Sequence, residues 1–561
     1  MSEKVRGRRR FFAQALGVGG GALLGGAVIG CGDEPAVAPV APPEVPPEVP
    51  PSPSEEPQGL PGKDPAAFVV HGATPPTMET RRELLGTSVI TATSRLFVRQ
   101  NVPLPSEEIV ADRDAWSLEV QGVRSPGSIT LAELKRLGLV TVATVLQCSG
   151  NGRRFFEHGP SGSPWAVGAA GCVMWSGVPV RKVLERFGGV VDGARFLTST
   201  GGEPIPEGVE RDDVVVERSI PIEKGLEDAL LAWEMNGEAL PLTHGGPLRL
   251  VVPGYYGVNQ IKFVTRMAAT EQPTSAKIHA TGYRMRDIGE SGAPEQPSMW
   301  AMVPKSFVTF PTARTPQPTG RIVVHGVAFG GIEPVAKVEW SQDGQTWQDA
   351  ELVGPDLGRY AWRVFSFEVE APVGALTLFS RVTTTSGATQ PEQRLENERG
   401  YGNASWRDHG VVVQVCAADD EACLRPPVED EGRRRRTGPV RLSEAGERGR
   451  ALFRERAQPS CTTCHALEHA EATGTVGPDL DALGPSLDQV RAAVQNGVGA
   501  MPSFTQLLTP QEIDDVAAYV FEDALSIDVR DVVGWAGRAP LEVRRRWRRH
   551  AIAANPPPRL S

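Results

Sequence analysis

The sequence predicts a multidomain fold of three parts in series: an α+β domain, an all-β sandwich of immunoglobulin-like kind, and a small all-α domain. Three observations predict it. Between residues 67 and 310, apolar β-branched runs mix with helical patterns without the regular strand–helix rhythm of a doubly wound sheet. From 311 to 416, short strand-like runs recur with turn residues between them. From 442 to 524 the apolar period turns helical, and Ser443 and Thr509-Pro510-Gln511-Glu512 read as helix caps. A chain of 561 residues, 40% apolar and 22% charged, holds material for several cores. Its 49 Pro and 61 Gly require long linkers or loop-rich β structure. A net charge of −10 excludes a general nucleic-acid binder. The seven cysteines are too scattered for a disulfide scaffold.

In chain order, residues 1–31 read as an export signal. Arg6, Arg8, Arg9 and Arg10 precede Phe11-Phe12, and a Gly/Ala/Leu/Val run extends to Gly30. Arg8-Arg9-Arg10-Phe11-Phe12 resembles the twin-arginine signal, the route of proteins that fold before they cross a membrane. Val28-Ile29-Gly30-Cys31 resembles a lipoprotein processing site, which makes Cys31 the lipidated first residue of the mature protein. The same run, at about 20 residues, is also long enough to stay as an uncleaved membrane anchor. Either way the body of the protein is expected on the periplasmic side of the cytoplasmic membrane. Residues 32–66 collapse to Pro, Glu, Val and Ser, an acidic extended tether expected to carry no chemistry.

Within 67–310 the chemistry gathers at residues 144–157. A buried strand is expected from Val140 to Leu146, ending at Cys148, a small-residue turn, and Arg153-Arg154. A thiolate at a strand end with guanidinium groups beyond it suits a soft metal handling an anion; a buried core cysteine followed by exposed arginines is the plainer alternative. Leu146-Gln147-Cys148-Ser149-Gly150-Asn151-Gly152-Arg153 resembles the signature of the sulfite oxidase family of molybdenum enzymes. The resemblance implies that the Cys148 sulfur ligates a molybdenum held by a molybdopterin.

Further segments carry the same resemblance in order. Leu96 to Pro103 resembles the segment that places an arginine, here Arg99, in the substrate pocket, with Asn101 standing where the family commonly has histidine. Trp165 to Val178 resembles the segment that walls the pocket with a tryptophan and then enters a helix. The run through Trp233-Glu234-Met235 reads as a helix that ends in a turn at Asn236-Gly237, followed by a glycine-bearing loop and a strand ending at Pro253-Gly254. In that stretch His244, Arg249 and Lys262 resemble contacts to the pterin and its phosphate, and a loop rich in N–H groups with Arg and Lys suits a phosphate-bearing cofactor. His279 to Arg286 resembles the segment that supplies an active-site tyrosine, here Tyr283.

Past residue 310, Val338 to Trp347 resembles the dimerisation domain of the same family, which implies a homodimer. Asn397 to Asn403 resembles its returning loop, with Arg399 a further pocket candidate. Cys416 and Cys423 lie close enough for a disulfide in an oxidising compartment. Residues 417–441 read as a charged linker. Cys461-Thr462-Thr463-Cys464-His465 is a c-type haem attachment sequence: the thiols join the haem and His465 ligates its iron. Met501 in Gly499-Ala500-Met501-Pro502 is the expected second axial ligand, and Gly477-Pro478-Asp479-Leu480 resembles the proline segment of cytochromes c, which implies that the Pro478 carbonyl orients His465. Gly449, Phe453 and Tyr519 resemble the crossing helix pair of small cytochromes c. His469 is expected at the surface. Residues 525–561 form a basic tail around Trp547.

Together these readings imply an exported sulfite dehydrogenase that oxidises sulfite to sulfate at a Mo-molybdopterin centre. Arg99, Arg153, Tyr283 and Trp165 line its pocket. Electrons leave through one covalent haem c to an external c-type cytochrome or terminal oxidase. Reduction of S-oxides or N-oxides, oxidation of sulfane sulfur on a protein, and a tethered electron-transfer protein without catalysis are the alternatives. The paired arginines favour an oxyanion over a neutral oxide.

Overall fold

In this computed structural model the described residues are 60–425, apart from 73–74 and 206–208, and 442–524, apart from 458, 475, 479, 484, 486 and 499–500. The signal with Cys31, most of the Pro-rich tether, the end of the second linker and the basic tail lie outside the described residues.

The tether ends against the fold. Asp64 caps a short helix at Pro65–Ala67, and Lys63 Nζ donates to the carbonyls of Thr93 and Leu96. The last residues of the predicted linker are therefore packed, because a lysine there finds buried acceptors.

Three sheets build the first domain. A small sheet joins Phe68–Gly72, Thr77–Thr80 and Val98–Arg99. A second runs from Val140–Gln147 through Ala170–Pro179 to Leu230–Met235, with Glu238–Ala239 and Arg249–Val251 both on the last strand. The third orders Gly127–Thr130, Ser117–Gln121, Val264–Thr270, Phe196–Gly201 and Glu217–Pro221. Val140–Gln147 is antiparallel to Ala170–Pro179, with Val145 opposite Cys172 and Gln147 opposite Ala170. Its exposed start and buried end carry the chain inward to Cys148.

One expectation is corrected. Leu230–Met235 is a strand, because it lies between Ala170–Pro179 and Arg249–Val251 and is covered on both faces. An apolar run buried on both sides does not reveal its period. Asn236 and Gly237 then form a hairpin turn with φ of 55° and 83°. The Trp165 segment runs on through the strand Ala170–Pro179 and then enters the helix Val180–Arg186, as expected.

Two sheets form the second domain: Lys305–Phe310, Gly320–Phe329, Arg363–Ala371 and Glu351–Val353 in one, and Gln317–Pro318, Val411–Cys416, Gly374–Thr384, Val335–Ser341 and Gln348–Asp349 in the other. Their inner faces meet around Val324, Trp340, Phe365, Val382 and Val413. Gly374–Thr384 alternates between buried and accessible residues, as a strand with one face in the core must. Cys416 and Cys423 are joined by a disulfide.

The third domain is helical. Glu444–Ala451 is capped by Ser443, and Pro510–Ala524 is opened by a reciprocal Thr509–Glu512 cap. The two cross where a Cβ on Gly449 would lie 1.9 Å from the Asp515 carbonyl oxygen, so only glycine fits. Phe453 and Tyr519 pack edge to face beside the crossing. His469 is not a free surface residue: it is partly buried, with Nδ1 3.2 Å from the Tyr519 hydroxyl.

Candidate functional site

Cys148 leaves its strand with its N–H on Ala169 O at 2.9 Å. The turn after it is tied back by Asn151, whose amide donates to Gln147 Oε1 at 3.1 Å and accepts from Ala169 N at 3.2 Å. Arg153 then folds over the turn. Its guanidinium would meet a Cβ on Gly150 at 2.4–2.7 Å, which is why a glycine precedes it there. The alternative of exposed arginines holds for Arg154 alone. Arg153 is 6% exposed, with Nε on Arg399 O at 2.9 Å and Nη1 on Ser163 O at 2.8 Å.

Cys148 stands between two cavities. The inner one, about 70 Å³, is lined by Arg99, Asn101, Glu203, His244, Arg249, Gln260, Lys262 and Tyr283. The outer one, about 210 Å³, is lined by Arg99, Arg153, Trp165, Tyr283, Arg399 and Tyr401. All four predicted substrate-pocket residues thus converge with the predicted metal ligand, and Arg399 joins them.

The outer cavity also takes Lys277 and Arg286, which makes five cationic side chains and no carboxylate among its described lining residues. Burial holds Arg153, Lys277 and Arg286 below their ordinary values. Such a concentration of desolvated positive charge selects an anion. Tyr283 lies stacked on Tyr401 with ring centroids 5.2 Å apart. Burial and the neighbouring Tyr401 push its phenol up to about 12, so it faces the cavity as a neutral donor. Trp165 is fully buried, with an indole N–H that has no protein acceptor.

In the inner cavity Lys262 Nζ donates to Thr243 O at 2.7 Å and Arg99 O at 3.2 Å, while Arg249 Nη1 donates to His244 O at 2.6 Å. Burial drives Lys262 and His244 well below their ordinary values and Arg249 to about 9. Arg249 Nε and Gln260 Oε1 are buried without partners. Crowded cations with an unused donor and acceptor fit a phosphate-bearing pterin. Lys63 stands behind His244, 2.6 Å from Nε2. An ammonium donating there makes Nε2 the acceptor and leaves the proton on Nδ1.

Besides Lys277 and Arg286, sequence reasoning missed Lys63, Glu203 and Lys305. Lys63 closes the predicted tether, where composition hid it. Glu203 lies between Arg249 and Lys262, and burial raises its carboxyl to about 7; no spacing links it to them. Lys305, from the second domain, donates to Asn151 O at 3.2 Å and is lowered to about 7 by burial.

A third cavity, about 300 Å³, lies between the helical domain and the first domain and holds Cys461, Cys464, His465 and Met501 together. His465 Nδ1 is 2.9 Å from Pro478 O, which leaves Nε2 for the iron, as the sequence predicts. A Cβ on Gly477 would strike the imidazole at 2.4 Å. Two thiols, an oriented imidazole and a thioether in an apolar cavity fit a covalent haem. Arg99 and Asn101 line this cavity too.

The family model described as Oxidoreductase molybdopterin binding domain matches residues 103–278. That described as Cytochrome C oxidase, cbb3-type, subunit III matches residues 444–520. The chain is similar to the sulfite oxidase of Gallus gallus, 30% identical over 386 residues that cover 63% of this chain and 82% of that protein. It is similar to the mitochondrial sulfite oxidase of Rattus norvegicus, 29% identical over 373 residues, and spans just under two thirds of it, 66%, with 62% of itself. Among solved structures, the sulfane dehydrogenase SoxCD from Paracoccus pantotrophus shares the fold with a TM-score of 0.53 at 24% identity, covering 66% of this chain and 96% of that one.

Proposed function

The chain belongs to the sulfite oxidase family, and from that premise we propose that it oxidises sulfite to sulfate beside Cys148 and sends the electrons through its own haem c to an external cytochrome or oxidase. It is an oxidoreductase with a Mo-molybdopterin and a haem c. The observation that carries the substrate reading is the cavity against Cys148, lined by five cationic side chains and no carboxylate.

The reaction takes sulfite and water to sulfate, two protons and two electrons. Molybdenum held beside Cys148 would supply oxygen-atom transfer chemistry, and a haem held by Cys461, Cys464 and His465 would supply a one-electron relay. The chain's own residues do the rest. Arg99 and Arg153 bind and orient the oxyanion, and Arg153 is pre-set by its two carbonyl contacts. Tyr283 donates from its neutral phenol, and Trp165 closes the inner wall. His244, Arg249 and Lys262 would hold the phosphate side of the pterin, and His465 and Met501 would ligate the haem iron.

Reduction of a neutral S-oxide or N-oxide, the alternative direction, has no use for this charge. The arginine-led signal at 1–31 supports export by the twin-arginine route, and Cys31 supports a lipid anchor on the periplasmic side. Family membership and the two-sheet domain, read as immunoglobulin-like, support a homodimer. The experiment is a product balance: purified holoenzyme with sulfite and oxidised cytochrome c yields one sulfate per two cytochromes reduced. Dimethyl sulfoxide turnover with reduced cytochrome, without sulfite turnover, would overturn the proposal.

A further inference from the structure

The loop that carries Met501 is gripped at both ends by the molybdopterin side of the chain. Lys277 Nζ donates to the Met501 carbonyl at 2.7 Å, and Arg399 Nη1 donates to the Gly497 carbonyl at 3.0 Å. Just before the loop, Asn496 donates to Glu398 Oε1 at 2.9 Å. Val498 and Met501 close the loop with reciprocal main-chain hydrogen bonds of 3.1 and 3.0 Å. Three donors thus meet within a few residues of Met501, none of them an exposed ion pair.

This grip also shapes the substrate cavity. Gly497, Val498 and Ser503 line it opposite Cys148 and Arg153. Arg399 touches both sides: Nη1 holds the loop while its buried Nε has no partner. Arg99 lines this cavity and the haem cavity alike.

We infer that the haem domain works from this docked position, where its Met501 loop is the outer wall of the substrate cavity and Lys277 is the residue that positions it. This deepens the sulfite reading and rests on it. Electrons then leave without a swing of the domain. The walled cavity, about 210 Å³, suits a small oxyanion with accompanying water. A sulfur atom carried on a protein would have to displace the loop.

The test is anaerobic rapid mixing of saturating sulfite with full-chain holoenzyme, following haem reduction in buffer and in glycerol. The wild-type rate is expected to be independent of viscosity. Lys277→Met and Asn496→Ala are each expected to slow reduction about tenfold, the equivalent of one lost charge-assisted hydrogen bond, and to make it viscosity-dependent. The haem midpoint potential and the Met–iron charge-transfer band stay unchanged, which separates lost docking from lost ligation. A wild-type rate that falls with viscosity, or variants that match wild type, would overturn the inference. Haem that sulfite fails to reduce in the wild type would instead sink the sulfite reading. Docking is then read by hydrogen exchange, where Lys277→Met must deprotect residues 277–283 and 495–504 together. An unchanged 277–283 stretch would refute it.

Discussion

Arg153 Nε donates to the Arg399 carbonyl at 2.9 Å, joining residues 246 positions apart. The turn after Cys148 is thus closed by the loop that precedes the last strand of the second domain, Val411–Cys416. Asn403 and Lys305 reinforce it, donating to Gly152 O at 3.1 Å and Asn151 O at 3.2 Å. The second domain therefore completes the site as well as flanking it. A guanidinium with a fixed fork keeps both its contacts only in this closed arrangement.

Arg153→Lys keeps the charge and loses the fork. With two buried, charge-assisted hydrogen bonds weakened at about 1.5–3 kcal/mol each, KM for sulfite is expected to rise at least about tenfold, with kcat changed less. Steady-state kinetics check it; an unchanged KM would mean that Arg153 only braces the turn.

Glu203 sets a pH signature. Its carboxyl is raised by burial from the usual 4.5 to about 7, so between those values the folded state holds a proton that the unfolded chain releases. Its contribution to stability is full below about 4.5 and lost as pH rises through about 7, on the order of 3 kcal/mol. Cofactor-free protein is expected to melt at falling temperature across that window, and Glu203→Gln to flatten the fall. Parallel curves for both proteins would contradict the assignment.

Gly449→Ala puts a methyl group 1.9 Å from the Asp515 carbonyl oxygen. The overpacking costs about 1–3 kcal/mol, against about 1 kcal/mol of helix propensity gained. The haem domain is expected to melt several degrees lower, read from the haem absorbance, while sulfite affinity stays unchanged.

The local signals were the legible ones. Cys461, Cys464 and His465 declare a haem by spacing, and Met501 and Pro478 follow in chain order. Cys148, Arg99, Trp165, His244, Arg249, Lys262 and Tyr283 converge as the family motifs imply. What the motifs could not carry was contact across domains, because no local pattern encodes it. Lys305 reaches the Cys148 turn from the sandwich side and Lys277 reaches the haem loop, whereas Arg399 was already marked by the returning-loop motif. Glu203 and Lys63 were hidden because a lone carboxylate and a lysine in a Pro-rich tether have no spacing to betray them. Leu230–Met235 was misread because burial on both faces erases the period of two that marks a half-buried strand.

The most direct measurement is anaerobic addition of sulfite to oxidised, molybdenum-loaded protein while the haem α-band is followed. Prompt reduction in wild type is the predicted result, with a loss of more than about 100-fold in Cys148→Ser despite intact fold and haem. Cys148→Ser that still reduced its haem at the wild-type rate would contradict the account.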